Sequence, residues 1–147
     1  MAAGDAAAAS GVDRDGSPSP WKEKQFEEET RNPLSHFWVL REQGELTAFG
    51  GFWLVGPEAQ LANIGVRPDH RRRGAGRALL RWLMRQAALR SARRMTLEVR
   101  AGNAPALRLY RSENFLETSR RPGYYEGRET AVLMERKLDP KEFEGWE

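Results

Sequence analysis

The sequence predicts an α+β fold in which a mostly antiparallel sheet carries helices. Three observations point to it. Residues 36–66 hold three short apolar runs joined by glycine-bearing turns too short for a crossover helix, so consecutive strands pair antiparallel. Residues 76–91 place Leu79, Leu80, Leu83, Met84 and Ala87 at helical spacing, with Arg77, Arg81, Arg85 and Arg90 as a wet side. A strand-like run at 95–99, with β-branched Thr96 and Val99, follows directly, and then a second helical pattern.

Residues 1–16 are rich in Ala, Gly and Asp and lack the apolar content that offsets ordering entropy. They are expected to form a disordered tail ahead of a folded domain at 17–138. Residues 21–30 read as a short helix, with Ser19 as its cap and Pro20 in the first turn. Trp21 and Phe26 read either as core anchors or as the lining of a peptide-binding mouth. The runs at 36–41 and 46–55 form a hairpin about Glu42-Gln43-Gly44-Glu45, and Gly56-Pro57 turns the chain into a third strand at 60–66. After the helix at 76–91 and the strand at 95–99, Asn103 is a cap for a helix over 104–112, with Pro105 tolerated in its first turn. Asn114 tolerates the left-handed backbone that stops a helix. Residues 115–120 and 130–136 read as two last strands flanking Pro122-Gly123-Tyr124-Tyr125-Glu126-Gly127, and 139–147 as a polar tail.

At 147 residues the chain is expected to form one domain. Its formal charge of +3 argues against a general nucleic-acid coat, although arginines cluster locally. The absence of cysteine excludes disulfides, a cysteine nucleophile and cysteine-ligated metals, and fits the reducing cytoplasm. No apolar run reaches membrane-spanning length and no signal core opens the chain. His36 and His70 have no partner at metal or triad spacing, so no metal is expected.

The chemistry gathers at 61–110. The apolar run Leu61-Ala62-Asn63-Ile64-Gly65-Val66 leads through Arg67-Pro68-Asp69-His70 into Arg71-Arg72-Arg73-Gly74-Ala75-Gly76-Arg77, which opens the main helix. Gly74 and Gly76 let backbone approach a ligand, and free N–H groups at a helix start form an anion site. The loop is neither the dinucleotide fingerprint nor a Walker loop, for it lacks a third glycine and any Gly-Lys-Ser/Thr. Taken with Leu97-Glu98-Val99-Arg100-Ala101-Gly102-Asn103 and Leu109-Tyr110-Arg111-Ser112-Glu113-Asn114-Phe115, it resembles the GNAT superfamily of acetyl-CoA-dependent N-acetyltransferases. Within that superfamily it looks most like the RimI type, which acetylates the N-terminal alanine of a small-subunit ribosomal protein.

The resemblance implies an α/β/α arrangement: a mixed, mostly antiparallel sheet that splays to admit acetyl-CoA, with helices on both faces. Gly65 suits the strand bulge that opens the slot. Ile64, Gly65 and Val66 would pair with the pantetheine arm, an N–H near Val66 would polarise the thioester carbonyl, and Arg71, Arg72, Arg73, Gly74, Ala75, Gly76 and Arg77 would hold the pyrophosphate. Asn103 would contact the carrier while capping its helix. Glu98 is the candidate general base and Tyr110 the candidate acid. An α-amino group titrates near about 8, so little base strength is required, whereas lysine near about 10.4 needs more help. Trp21, Tyr124 and Tyr125 are candidates for the acceptor slot, Tyr124 and Tyr125 equally readable as loop packing. The implied partner is a protein N-terminal peptide, from a ribosomal protein, with no membrane or nucleic acid, and the enzyme a monomer or weak dimer. The competing readings are a GNAT enzyme acting on lysine side chains or a small amine, a nucleic-acid module built on the arginines, and a degenerate binder of acetyl-CoA.

Overall fold

The computed structural model describes residues 1–16, 20–70, 74–125 and 129–144. Six strands form one sheet: β1 (Ser35–Glu42), β2 (Glu45–Val55), β3 (Glu58–Val66), β4 (Arg94–Arg100), β5 (Leu116–Tyr125) and β6 (Glu129–Lys137), in the spatial order β1-β2-β3-β4-β6-β5. Every neighbouring pair is antiparallel except β3 and β4. Gln43 and Gly44 both take positive φ between the paired Glu42 and Glu45, the geometry of a two-residue turn whose twist matches the strands it joins. Gly56, also at positive φ, opens the turn into β3.

The parallel junction is short. Glu58, Ala59 and Gln60 pair with Arg94, Met95 and Thr96, and there the register ends. Beyond it the strands part. The connection between them is α3 (Ala75–Leu89), whose stripe of Leu79, Leu80, Leu83, Met84 and Ala87 is buried against the sheet. Each leucine so buried stabilises the fold by about 1.5–3 kcal/mol relative to exposure. The helix stops where Ser91 takes a φ of 70°: the Ala92 N–H bonds to the Ala87 carbonyl and the Ser91 N–H to that of Ala88. On the same face, α4 (Ala104–Ser112) adds Leu107 and Tyr110 to the core. The opposite face carries α1 (Ala6–Gly16) and α2 (Glu23–Glu29).

Four expectations are corrected. Residues 1–16 are not a disordered tail: a 3-10 turn and α1 lay Ala6, Ala9 and Val12 on Phe26, Phe37, Leu46 and Phe49. Alanine supplies little area but has the best helix propensity, and its small side chain brings the helix close to an aromatic face. Asp5 accepts the Ala2 N–H at 2.9 Å and pairs with Arg41 of β1. Residues 139–147 are not wholly a tail either. Asp139 accepts the Lys141 N–H at 3.0 Å to cap a 3-10 turn, Pro140–Phe143, and Phe143 is buried beneath the guanidinium of Arg136. Third, β5 continues through Pro122-Gly123, with Gly123 at a φ of 65° and a register shift between Arg121 and Tyr125, where a connecting loop was expected. Fourth, α2 begins at Glu23 with Lys22 as cap, its N–H held by the Gln25 side chain at 2.8 Å. Ser19, the cap expected from sequence, lies outside the described residues.

Candidate active site

The candidate site is the gap where β3 and β4 part. The pleat of β4 decides what faces it. Met95, Leu97 and Val99 are buried in the core beneath α3 and α4, so Thr96, Glu98 and Arg100 point to the other face. There Glu98 lies in an open cleft of about 660 Å³ with Trp21, Trp53, Thr118, Arg121 and Tyr124. Its Oε1 is 3.6 Å from Nη1 of Arg121, whose guanidinium also lies 5.5 Å from the ring centre of Tyr124. Glu58 closes the narrow end of the gap. Burial pushes its carboxyl up, but hydrogen bonds from Gln60, Arg94 and Thr96 and the Arg94 charge outweigh that and hold it below the ordinary value.

Trp21 stands both in the core and at the cleft. Its ring packs 5.2 Å from Phe26 and 5.9 Å from Phe37 in the core, and it also lines the cleft, stacked on Trp53 at 6.3 Å. Sequence reasoning missed Trp53. It sits in Phe49-Gly50-Gly51-Phe52-Trp53-Leu54-Val55, a run with no polar alternation to show which face each residue takes. Its indole N–H donates to Glu29 Oε2 at 2.8 Å, which fixes the ring.

Tyr110 occupies the opposite face, buried on α4. Its setting follows from Asn114, which takes a φ of 70° just past the helix end. The Phe115 N–H then bonds to the Tyr110 carbonyl and the Asn114 N–H to that of Arg111, and Phe115 folds back edge-on to the Tyr110 ring at 5.8 Å. Asn103 caps α4 by accepting the Ala106 N–H at 3.3 Å. Ile64 and Val66 lie on the Tyr110 side of β3, partly buried against the same core.

Gly65 is not the bulge. The register passes from Gly51 opposite Asn63 to Phe52 opposite Leu61, so the extra residue is Ala62. Gly65 instead lies beneath Phe49, where an added Cβ would come within 2.6 Å of the ring. Next to the bulge, Asn63 Oδ1 accepts the Ile64 N–H at 2.9 Å.

At the loop, Gly74 takes a φ of 77° and its carbonyl starts α3 by accepting the Ala78 N–H. Ala75 and Gly76 form the first turn, and Gly76 faces Val66 and Leu109. Arg77 donates from Nη1 to Glu113 Oε1 at 2.7 Å, and Arg81 donates from Nε to the same oxygen at 2.8 Å. These two arginines therefore anchor a buried acid at the end of α4, where the sequence suggested a phosphate ligand in Arg77 and a solvated face for Arg81. Arg71, Arg72 and Arg73 lie outside the described residues. Tyr125 ends β5 opposite Glu129, and its side chain is likewise outside the description. The site thus brings together Glu98, Trp21 and Tyr124 on one face, and Tyr110, Ile64, Val66 and the start of α3 on the other.

Comparison with known proteins agrees with this fold. Residues 8–115 match the Acetyltransferase (GNAT) family. The chain is 42% identical over 118 residues to the ribosomal protein bS18-alanine N-acetyltransferase of Escherichia coli strain K12, covering 78% of this chain and 79% of that protein. It is 36% identical over 110 residues to the N-alpha-acetyltransferase RimI of Mycobacterium tuberculosis, covering 72% of this chain and 68% of that one. The crystal structure of the ribosomal-protein-S18-alanine N-acetyltransferase from Escherichia coli superposes with a TM-score of 0.88 at 36% identity, covering 95% of this chain and 91% of that chain.

Proposed function

Since the chain belongs to the acetyltransferase (GNAT) family, we propose that it transfers the acetyl group of acetyl-CoA to the α-amino group of a protein N-terminus, a ribosomal protein being the acceptor as for its relatives. The observation that carries this reading is the parting of β3 from β4 after three residue pairs, with Glu98 on one face of the gap and Tyr110 on the other.

Acetyl-CoA supplies an acyl thioester, and the residues present fit it. The first turn of α3, with Gly74 in a left-handed conformation and Gly76 presenting no side chain, offers backbone N–H groups at a helix start to the pyrophosphate. Arg71, Arg72 and Arg73 precede that turn in sequence and would add charge. The edge of β3 facing the gap, at Ile64, Gly65 and Val66, would receive the pantetheine arm, and Asn103 at the start of α4 would contact the carrier. An N–H near Val66 would polarise the thioester carbonyl.

The acceptor amine approaches from the Trp21 and Tyr124 side, and Glu98 takes its proton as nitrogen bonds to the acyl carbon. As the carbon–sulfur bond breaks, Tyr110 hydrogen-bonds the departing sulfur and returns a proton to it. Full transfer from a phenol near pKa 10 to a thiolate near 8.5 is uphill by about 2 kcal/mol, so the hydrogen bond itself carries much of the stabilisation. Glu58, Glu98 and Glu135 line the cleft; Arg94 pairs with Glu58 at 3.0 Å and Glu135 at 3.8 Å, and Arg121 with Glu98 at 3.6 Å, so among the described residues the acids exceed their basic partners by one charge, which favours a cationic acceptor. Among the described residues no helix is long and apolar enough to cross a membrane, and a ribosomal acceptor places the reaction in the cytoplasm.

The test supplies acetyl-CoA with a peptide starting Ala-Arg, an N-blocked lysine peptide, and a polyamine, and follows thiol release. Turnover of the first alone is the expected result. Turnover confined to the lysine peptide or the polyamine overturns the N-terminal assignment.

A further inference from the structure

Asp13, on α1, is buried, and the reaction above makes no use of it. Its Oδ2 accepts the backbone N–H of Trp21 at 2.7 Å and Nδ2 of Asn63 at 3.1 Å. The Trp21 carbonyl in turn accepts from Ser10 Oγ at 3.1 Å, so α1 grips both polar groups of that residue's backbone. Asn63 stands next to the bulge in β3, and its other amide atom accepts the Ile64 N–H at 2.9 Å. One carboxylate oxygen thus ties together a helix, the aromatic wall of the cleft and the strand that borders the gap. Hydrogen bonds to a carboxylate are shorter and stronger than neutral ones, which suits a joint that must hold its geometry. Burial pushes the Asp13 carboxyl above its ordinary value, with the bonds from Trp21 and Asn63 working against that shift.

We propose that Asp13 is a positioning residue for acetyl transfer: it holds Trp21 and Asn63 at a fixed spacing, so the wall that receives the acceptor and the strand that borders acetyl-CoA move as one unit. The inference rests on the N-terminal acetyltransferase reading above. It gives α1 a role in acceptor recognition that the composition of that segment does not suggest.

The experiment uses the full chain with Asp13→Ala, Asp13→Asn and Asn63→Ala. Peptide KM, acetyl-CoA KM and kcat are measured separately, together with amide hydrogen exchange at Trp21 and Ile64. Losing a hydrogen bond to a charged group corresponds to about a tenfold change. Asp13→Ala is therefore expected to raise peptide KM about tenfold while acetyl-CoA KM stays within about twofold of wild type. Asp13→Asn keeps an acceptor oxygen and is expected to recover most of the loss. The Trp21 amide is expected to exchange faster in Asp13→Ala, with a modest fall in Tm because two donors lose their acceptor, while acetyl-CoA KM holds. Unchanged peptide KM in Asp13→Ala, or proportional loss of every kinetic constant alongside the fall in Tm, overturns the proposal. Should Asp13→Ala fail to fold, Asn63→Ala must reproduce the rise in peptide KM, and an unchanged value there overturns it equally. A wild-type chain that acetylates no peptide N-terminus overturns the functional reading instead, and the exchange of the Trp21 amide then decides the clamp alone.

Discussion

Glu98 owes its place to one residue of pleat. Its neighbours Leu97 and Val99 are buried beneath α3 and α4, which leaves the acid between them no direction but the cleft. Glu98→Gln preserves that geometry and removes the proton acceptor, so kcat is expected to fall about a hundredfold or more while acetyl-CoA binding, read by calorimetry, is retained. Tyr110→Phe preserves the packing on Phe115 and is expected to lower kcat about tenfold to a hundredfold at similar binding. Equal losses in kcat and in acetyl-CoA affinity would mark either residue as structural. Gly65 answers to a different constraint. With Phe49 across it, Gly65→Ala forces a methyl into the ring, and urea unfolding is expected to show a loss of about 1–3 kcal/mol.

At the scale of elements, the stop of α4 is coupled to the proposed chemistry. Asn114 at positive φ is what folds Phe115 onto Tyr110. Asn114→Ala is expected to cost about 1–2 kcal/mol in urea unfolding and to lower kcat, whereas Asn114→Gly restores both. This stop was legible in the sequence because its physics is local, as were the turn at Gln43-Gly44, the Asn103 cap and the buried stripe of α3. What escaped depended on partners distant in the chain. The alanines of α1 carry no amphipathic signal strong enough to announce a helix, and only the aromatic face of Phe37 and Phe49 gives them something to cover. The bulge falls at Ala62 because of cross-strand register, which no single residue type encodes. Pro122 sits inside β5 because that strand is at the sheet's edge, where a missing N–H costs no ladder bond. Glu113, a charged residue just past α4, is buried because Arg77 and Arg81 reach it from α3.

For the molecule as a whole, acid sensitivity has an identifiable contributor in His36. The imidazole packs 5.4 Å from Phe52 and 6.4 Å from Trp38. Burial, and then the charge of Arg90, pushes its pKa below the usual value. In the unfolded chain it titrates near about 6.5, so below that pH the unfolded state takes up the proton first. The stability His36 contributes is complete above the unfolded value and is lost as pH falls through the folded one. Urea midpoints are expected to decline from pH 7 to pH 5, and His36→Phe to flatten that decline; an identical slope would remove His36 from the account. The division of the sheet at β3 and β4 reaches further than stability. In the proposed reaction the two reactants dock from opposite sides and meet only inside the opening. Spent carrier and finished chain then depart by separate routes, neither blocking the other's exit. A synthetic compound joining the two would be lodged like a rivet through a plate, and its release would require both heads to loosen at once.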